Sequence, residues 1–86
     1  MKEHSPLLKK AILEVVSNQL RSKDPPETSA ALNRLIAEGY SKQESLELIG
    51  AVVSAHIYDM LKNQRVYDNE KYISDLIKLP DMPWDE

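Results

Sequence analysis

Apolar side chains recur along most of this chain at three- and four-residue steps, the period of an α-helix, and no stretch alternates long enough to read as a strand. Leu8, Ala11, Ile12, Val15 and Val16 form the first apolar stripe. Ser5-Pro6 precedes it as an N-cap followed by proline at the first helical position, so a first helix is predicted from there to about Ser22. Asp24-Pro25-Pro26-Glu27 then breaks the chain, because two prolines forbid continuation and the second suits the start of the next helix. A second helix is predicted from about Pro26 to Glu38, with Ala31, Leu32, Leu35 and Ile36 turned inward.

Gly39 suits the left-handed position after that helix, with Tyr40 covering its last turn. Ser41-Lys42-Gln43-Glu44 reads as a capping box, so the next helix starts at once and the corner is tight. The third helix is predicted from about Lys42 to Asn63, roughly 33 Å long at ~1.5 Å per residue. A turn near Val66-Tyr67-Asp68 leads to a fourth helix, capped by Asp68 or Asn69 and ending before Pro80, with Tyr72, Ile73, Leu76 and Ile77 inward. The expected fold is an all-α four-helix bundle of two αα-hairpins, in the order long, short, long, short. One helical domain over residues 1–80 is expected, followed by an acidic tail at 81–86 that holds Pro83 and Trp84. Ile12, Val15, Val16 and Ser17 echo Ile49, Val52, Val53 and Ser54, either as a duplicated hairpin or, the favoured reading, as two core helices that reached similar solutions.

Helix three carries the feature with most bearing on function. A surface helix normally has one apolar stripe and one charged face. Here Leu46, Ile49, Val53, Ile57, Met60 and Leu61 form the expected stripe. Leu48, Ala51, Ala55 and Tyr58 form a second one on the opposite side, and between Leu46 and Leu61 only Glu47 and Asp59 are charged. Either the helix is central and its neighbours cover both faces, or one face pairs with a second copy or another protein. Two of the three neighbouring helices are short, which leaves the second possibility open. Gly50 and Ser54, one turn apart, mark a place where another helix can come close.

Composition narrows the possible functions. The chain has 86 residues, no Cys, two His, two Gly and a net charge of −3. Thiol chemistry, disulfides and Cys-ligated metals are therefore excluded, a His-rich metal site cannot form within one chain, and a Gly-rich phosphate loop is missing. The acidic balance argues against nucleic acid as a partner, and no apolar run approaches the ~18–20 residues that span a bilayer. No cofactor or metal is expected, and the expected location is the cytoplasm.

Few groups remain as candidates for chemistry. His56 borders the main apolar face with Asp59 three residues on, a spacing at which a carboxylate can assist a base or a metal ligand. The competing reading is a boundary histidine satisfied by a backbone carbonyl or water. Gln19 lies in the apolar arc of helix one, where a buried amide needs partners. A bond to the Asp24-Pro25-Pro26 connection would supply them, and a ligand contact is the alternative. Lys2, Lys9 and Lys10 read as a solvated face, and His4 as a terminal, solvated side chain. No Ser, His and Asp arrangement resembles a triad. Tyr58, Tyr67 and Tyr72 gather near the third turn, and Trp84 either folds back on the bundle end or anchors a partner.

The segments Asp24-Pro25-Pro26-Glu27, Glu38-Gly39-Tyr40-Ser41-Lys42-Gln43-Glu44, Ile57-Tyr58-Asp59-Met60-Leu61-Lys62 and Tyr72 through Leu79-Pro80 resemble a family of short bacterial all-helical proteins of unknown function. The likeness runs from about Ser5 to Pro80 and rests on caps, turns and core positions, so it implies a fold and a bacterial or archaeal origin. That family resemblance would place histidines at Lys9 and Leu13, so no role of theirs carries over to this chain. Leu35 to Ser41 also resembles the Gly-Tyr turn of ubiquitin-associated-type modules, but helix three is about twice too long for that fold. The expected function is a non-enzymatic protein-interaction module that self-associates through helix three, with Leu48, Ala51, Ala55, Tyr58 and Trp84 as candidate interface. The alternative is a small enzyme or metal-binding protein with a site around His56, Asp59 and Gln19.

Overall fold

The computed structural model describes residues 6–83 and carries four helices there, α1 (Pro6–Ser22), α2 (Pro26–Ala37), α3 (Lys42–Asn63) and α4 (Asn69–Lys78), with no strand among the described residues. The Ser5 cap, His4, Lys2 and Trp84 lie outside the described residues. The helices are 17, 12, 22 and 10 residues long, so the long-short-long-short order of an all-α four-helix bundle holds.

Local chemistry sets each boundary. Pro26 opens α2 with Pro25 in extended backbone before it. Gly39, at φ +110, takes the left-handed turn after α2, and the Tyr40 amide donates to the Leu35 carbonyl at 3.1 Å. The Ser41 hydroxyl accepts from the Glu44 amide at 3.0 Å, and Glu44 Oε1 accepts from the Ser41 amide at 2.9 Å, which completes the capping box. Gln64, left-handed at φ 52, closes α3, and Asp68 rather than Asn69 caps α4 by accepting from the Lys71 amide at 3.1 Å.

The α3 and α2 helices form the middle of the bundle. Each packs on the other and on both α1 and α4, while the backbones of α1 and α4 do not meet. The buried apolar core is Val16 of α1, Ala31 and Leu35 of α2, Ile49, Val52 and Val53 of α3, Tyr72 and Leu76 of α4, and Leu79 beyond it. Gly50 works as a close-approach point: a Cβ there would stand 3.4 Å from Ile12 Cγ2 and 3.6 Å from Leu13 Cδ2.

Two helices are rotated from the expected facing, for the same reason. In α2 the inward set is Thr28, Ala31 and Leu35, and Ile36 is exposed. In α4 it is Tyr72, Asp75 and Leu76, and Ile77 is exposed. In both, an apolar residue moves out so that a polar one can reach a buried partner. Ile57 and Leu61 of α3 are exposed as well, because α3 outruns its neighbours toward its C-terminus, and every residue from Leu61 to Lys71 is exposed. At the α2–α4 contact, Arg34 donates to the carbonyls of Leu76 and Ile77 at 3.2 and 3.3 Å. The Leu76 carbonyl also accepts from the Leu79 amide at 3.2 Å, and carbonyls at the end of a helix are well placed to meet a cation.

Candidate functional site

The outer face of α3 forms the floor of a surface groove with a volume of about 610 Å³. Ala51, Ser54, Ala55 and Tyr58 line it from α3, Lys71 and Asp75 from α4, and Pro83 from the segment beyond. A second groove of about 360 Å³ lies between α3 and α1, lined by Leu8, Ile12, Leu13, Glu47 and Gly50 among others. The two grooves share Ala51 and Ser54, so the small side chains of α3 form a low saddle between them. Small residues explain the relief: nothing larger than a methyl or hydroxymethyl group projects from the middle of this face. Tyr58 and Leu61 stand up beyond it, 63% and 77% exposed.

Three of the candidate interface residues, Ala51, Ala55 and Tyr58, therefore come together on one open surface. Leu48 does not share it fully, since it is half-buried and packed against the core. Trp84 lies outside the described residues.

A polar chain runs beside the saddle. His56 Nε2 lies 2.7 Å from Asp75 Oδ2, and both side chains are nearly buried. Which of the two atoms donates depends on the tautomer of the ring. Lys71 Nζ stands 4.0 Å from the same oxygen, on the solvent side. The His56 ring meets Tyr72 edge-on with centroids 5.5 Å apart. The Tyr72 hydroxyl donates to Gln19 Oε1 at 2.8 Å, and the Thr28 hydroxyl donates to the same oxygen at 2.8 Å. One amide oxygen of α1 thus collects donors from α2 and α4. Burial pushes the Tyr72 phenol above the ordinary tyrosine value, against the opposing effect of its hydrogen-bonded surroundings. The Tyr67 phenol is raised too, first by burial and then by the neighbouring Tyr72 and the negative charges of Asp24 and Asp68.

Of the candidate polar residues, His56 and Gln19 line one small cavity of about 200 Å³, together with Tyr67 and Tyr72. Asp59 lines grooves beside His56 but is held elsewhere. It accepts from Asn63 Nδ2 at 2.7 Å and lies 3.8 Å from Arg65 Nε. The carboxylate serving His56 is Asp75, which lies on another helix. Gln19 reaches Thr28 and Tyr72 with its side chain, while its backbone carbonyl accepts from the Asp24 amide at 3.2 Å. The Gln19 side chain thus finds its partners on α2 and α4 and not, as expected, in the α1–α2 connection, which only its main chain reaches. Sequence reasoning missed Asp75, Thr28 and Lys71. The available signal was a polar residue, Asp75, three residues after Tyr72 on the inward face of α4.

At the far end of the α1–α3 groove, Lys9 Nζ lies 3.4 Å from Glu47 Oε2. The Glu47 carboxyl is lowered, first by its bond from Gln43 and then by the bond and charge of Lys9. Among the described residues, no group of three or more His, Cys, Asp or Glu side chains is placed to hold a metal ion, and no helix is long and apolar enough to cross a membrane. The chain matches no family model, no curated relative and no solved structure.

Proposed function

We propose that this chain is a protein-interaction module that self-associates through the outer face of α3. The observation that carries the reading is the saddle of Ala51, Ser54 and Ala55 between two grooves, with Tyr58 and Leu61 standing exposed beyond it. Exposed apolar patches rimmed by polar residues are one mark of a protein interaction site. Tyr58 and Leu61 from both copies would contribute about 4–8 kcal/mol of gross apolar burial. The grooves they cover add to this, and the lost freedom of association opposes it. We set the expected dissociation constant at about 1–100 µM, which requires the grooves to supply most of the net free energy.

Tyr58→Glu tests the proposal, since Tyr58 is exposed and an acid there leaves the core intact. At about 1 mM, above the whole expected range of dissociation constants, the wild type is expected to sediment as a dimer and Tyr58→Glu as a monomer, with equal helical circular dichroism. Unchanged mass for the variant would defeat the reading.

One observation favours a second reading, a small ligand-binding or catalytic protein: the 2.7 Å His56–Asp75 pair on the wall of the groove. A histidine fixed by a carboxylate is a common general base. Among the described residues its hydrogen-bond partner is Asp75 alone. His56→Gln would change binding of small-molecule probes under that reading and leave the dimer intact.

A further inference from the structure

The face proposed to self-associate is palindromic in its relief and in one pair of end charges, Glu44 and Lys62, while Glu47 and Asp59 between them are both acidic. Lys62 follows Glu44 by about five full turns of α3, so the two stand at the same azimuth near opposite ends of the helix. Both are exposed. Ala51 and Ala55 sit between them at equal distances from the two ends, on the same stripe. Relief follows the same pattern. The half of the face toward the α3 C-terminus carries the protruding Tyr58 and Leu61. The half toward the N-terminus carries the α1–α3 groove, lined by Ile12, Leu13 and Gly50.

Resting on the self-association proposed above, we infer that the occupant of this face is a second copy whose α3 runs antiparallel, about a two-fold axis passing between Ala51 and Ala55. That rotation sets Glu44 of each copy against Lys62 of the other, twice. It brings the small side chains into contact at the centre, where the backbones can approach closely. It also carries Tyr58 and Leu61 of each copy to the α1–α3 groove of the other, so each protrusion meets a hollow. A parallel arrangement does the reverse: Glu44 faces Glu44, Lys62 faces Lys62, protrusion meets protrusion and hollow meets hollow. Charge and shape both select the antiparallel pair, and an isologous contact of this kind closes as a dimer.

The test uses thiols, because the native chain has no Cys and every disulfide then reports an introduced pair. Lys62→Cys and Glu44→Cys are made separately, one of them tagged, then mixed and oxidised. The antiparallel pair predicts the mixed 44–62 disulfide at least tenfold above either symmetric one, since position 62 of one copy would stand about 27 Å along the axis from position 62 of the other. Symmetric 62–62 and 44–44 disulfides would overturn the inference. So would the absence of any disulfide in samples that light scattering finds dimeric, because the dimer would then use another face. A monomeric wild type would instead remove the self-association reading itself.

A charge cycle gives a second readout. Lys62→Glu is expected to raise the dimer dissociation constant about tenfold, by setting like charges together twice. Adding Glu44→Gln, which keeps a residue able to complete the capping box, should recover most of that loss. No weakening in Lys62→Glu, or no recovery in the double variant, would overturn the antiparallel register.

Discussion

Gln19→Met is the sharpest perturbation of the bundle. Methionine nearly matches glutamine in length and volume, so packing is largely kept, but it removes the oxygen on which the Thr28 and Tyr72 hydroxyls converge at 2.8 Å each. Thr28 is 0% and Tyr72 1% exposed, so water cannot easily replace that acceptor. Each orphaned buried donor costs about 1–3 kcal/mol, and together about 3 kcal/mol is expected. Tyr72→Phe should cost only about 1 kcal/mol, because Gln19 Oε1 still receives the Thr28 hydroxyl and nothing is left unsatisfied. The triple variant Gln19→Met, Thr28→Val, Tyr72→Phe leaves no orphan and should regain much of the loss. Urea unfolding followed by circular dichroism reads these differences, and the melting temperature of Gln19→Met should fall by roughly 12–20 °C. A Gln19→Met variant no less stable than Tyr72→Phe would refute the reasoning, as would a triple variant less stable than Gln19→Met.

Other predictions follow from the same geometry. His56→Ala leaves the nearly buried Asp75 carboxylate with only the exposed Lys71 nearby, and should cost about 2–3 kcal/mol in urea unfolding. Asp75→Asn, which keeps a hydrogen-bonding group opposite His56, should cost less. Gly50→Ala should stabilise by about 0.5 kcal/mol, because the new methyl meets Ile12 and Leu13 at ordinary contact distance while the helix gains propensity. Gly39→Ala should destabilise by about 1 kcal/mol, since φ +110 strains any side chain there. Stability should also fall in alkali. The folded state holds the Tyr72 and Tyr67 phenolic protons more tightly than the unfolded chain. Their contribution is therefore full below about pH 10 and lost as pH rises through the raised folded values. Denaturation across an alkaline series checks this, and Tyr72→Phe should flatten part of the slope.

The four helices and their ends were legible because they rest on local chemistry. Gly39, the Ser41–Glu44 box, the Pro25-Pro26 break and Asp68 each act within a few residues, which is the range over which a sequence can be read directly. Helix facing was less legible. Ile36 and Ile77 looked inward by apolar spacing, yet Thr28 and Asp75 displaced them, because Gln19 and His56 supplied partners from distant parts of the chain. Pairings across 9, 19 and 53 residues leave no periodic trace. His56 could be singled out as a candidate, but its true carboxylate could not, since Asp59 offered the nearer spacing and only packing chooses between them. The open face of α3 was legible in outline through Ala51, Ala55 and Tyr58. The inward lean of Leu48 depends on the neighbouring helices and was not.

Whether two chains associate is decided by absolute mass in solution. Light scattering after gel filtration, over dilution from about 1 mM to about 1 µM, covers the range of dissociation constants that the α3 face supports. Self-association through α3 gives about twice 9.8 kDa at the concentrated end, falling toward 9.8 kDa on dilution. A mass of 9.8 kDa at every concentration would contradict it.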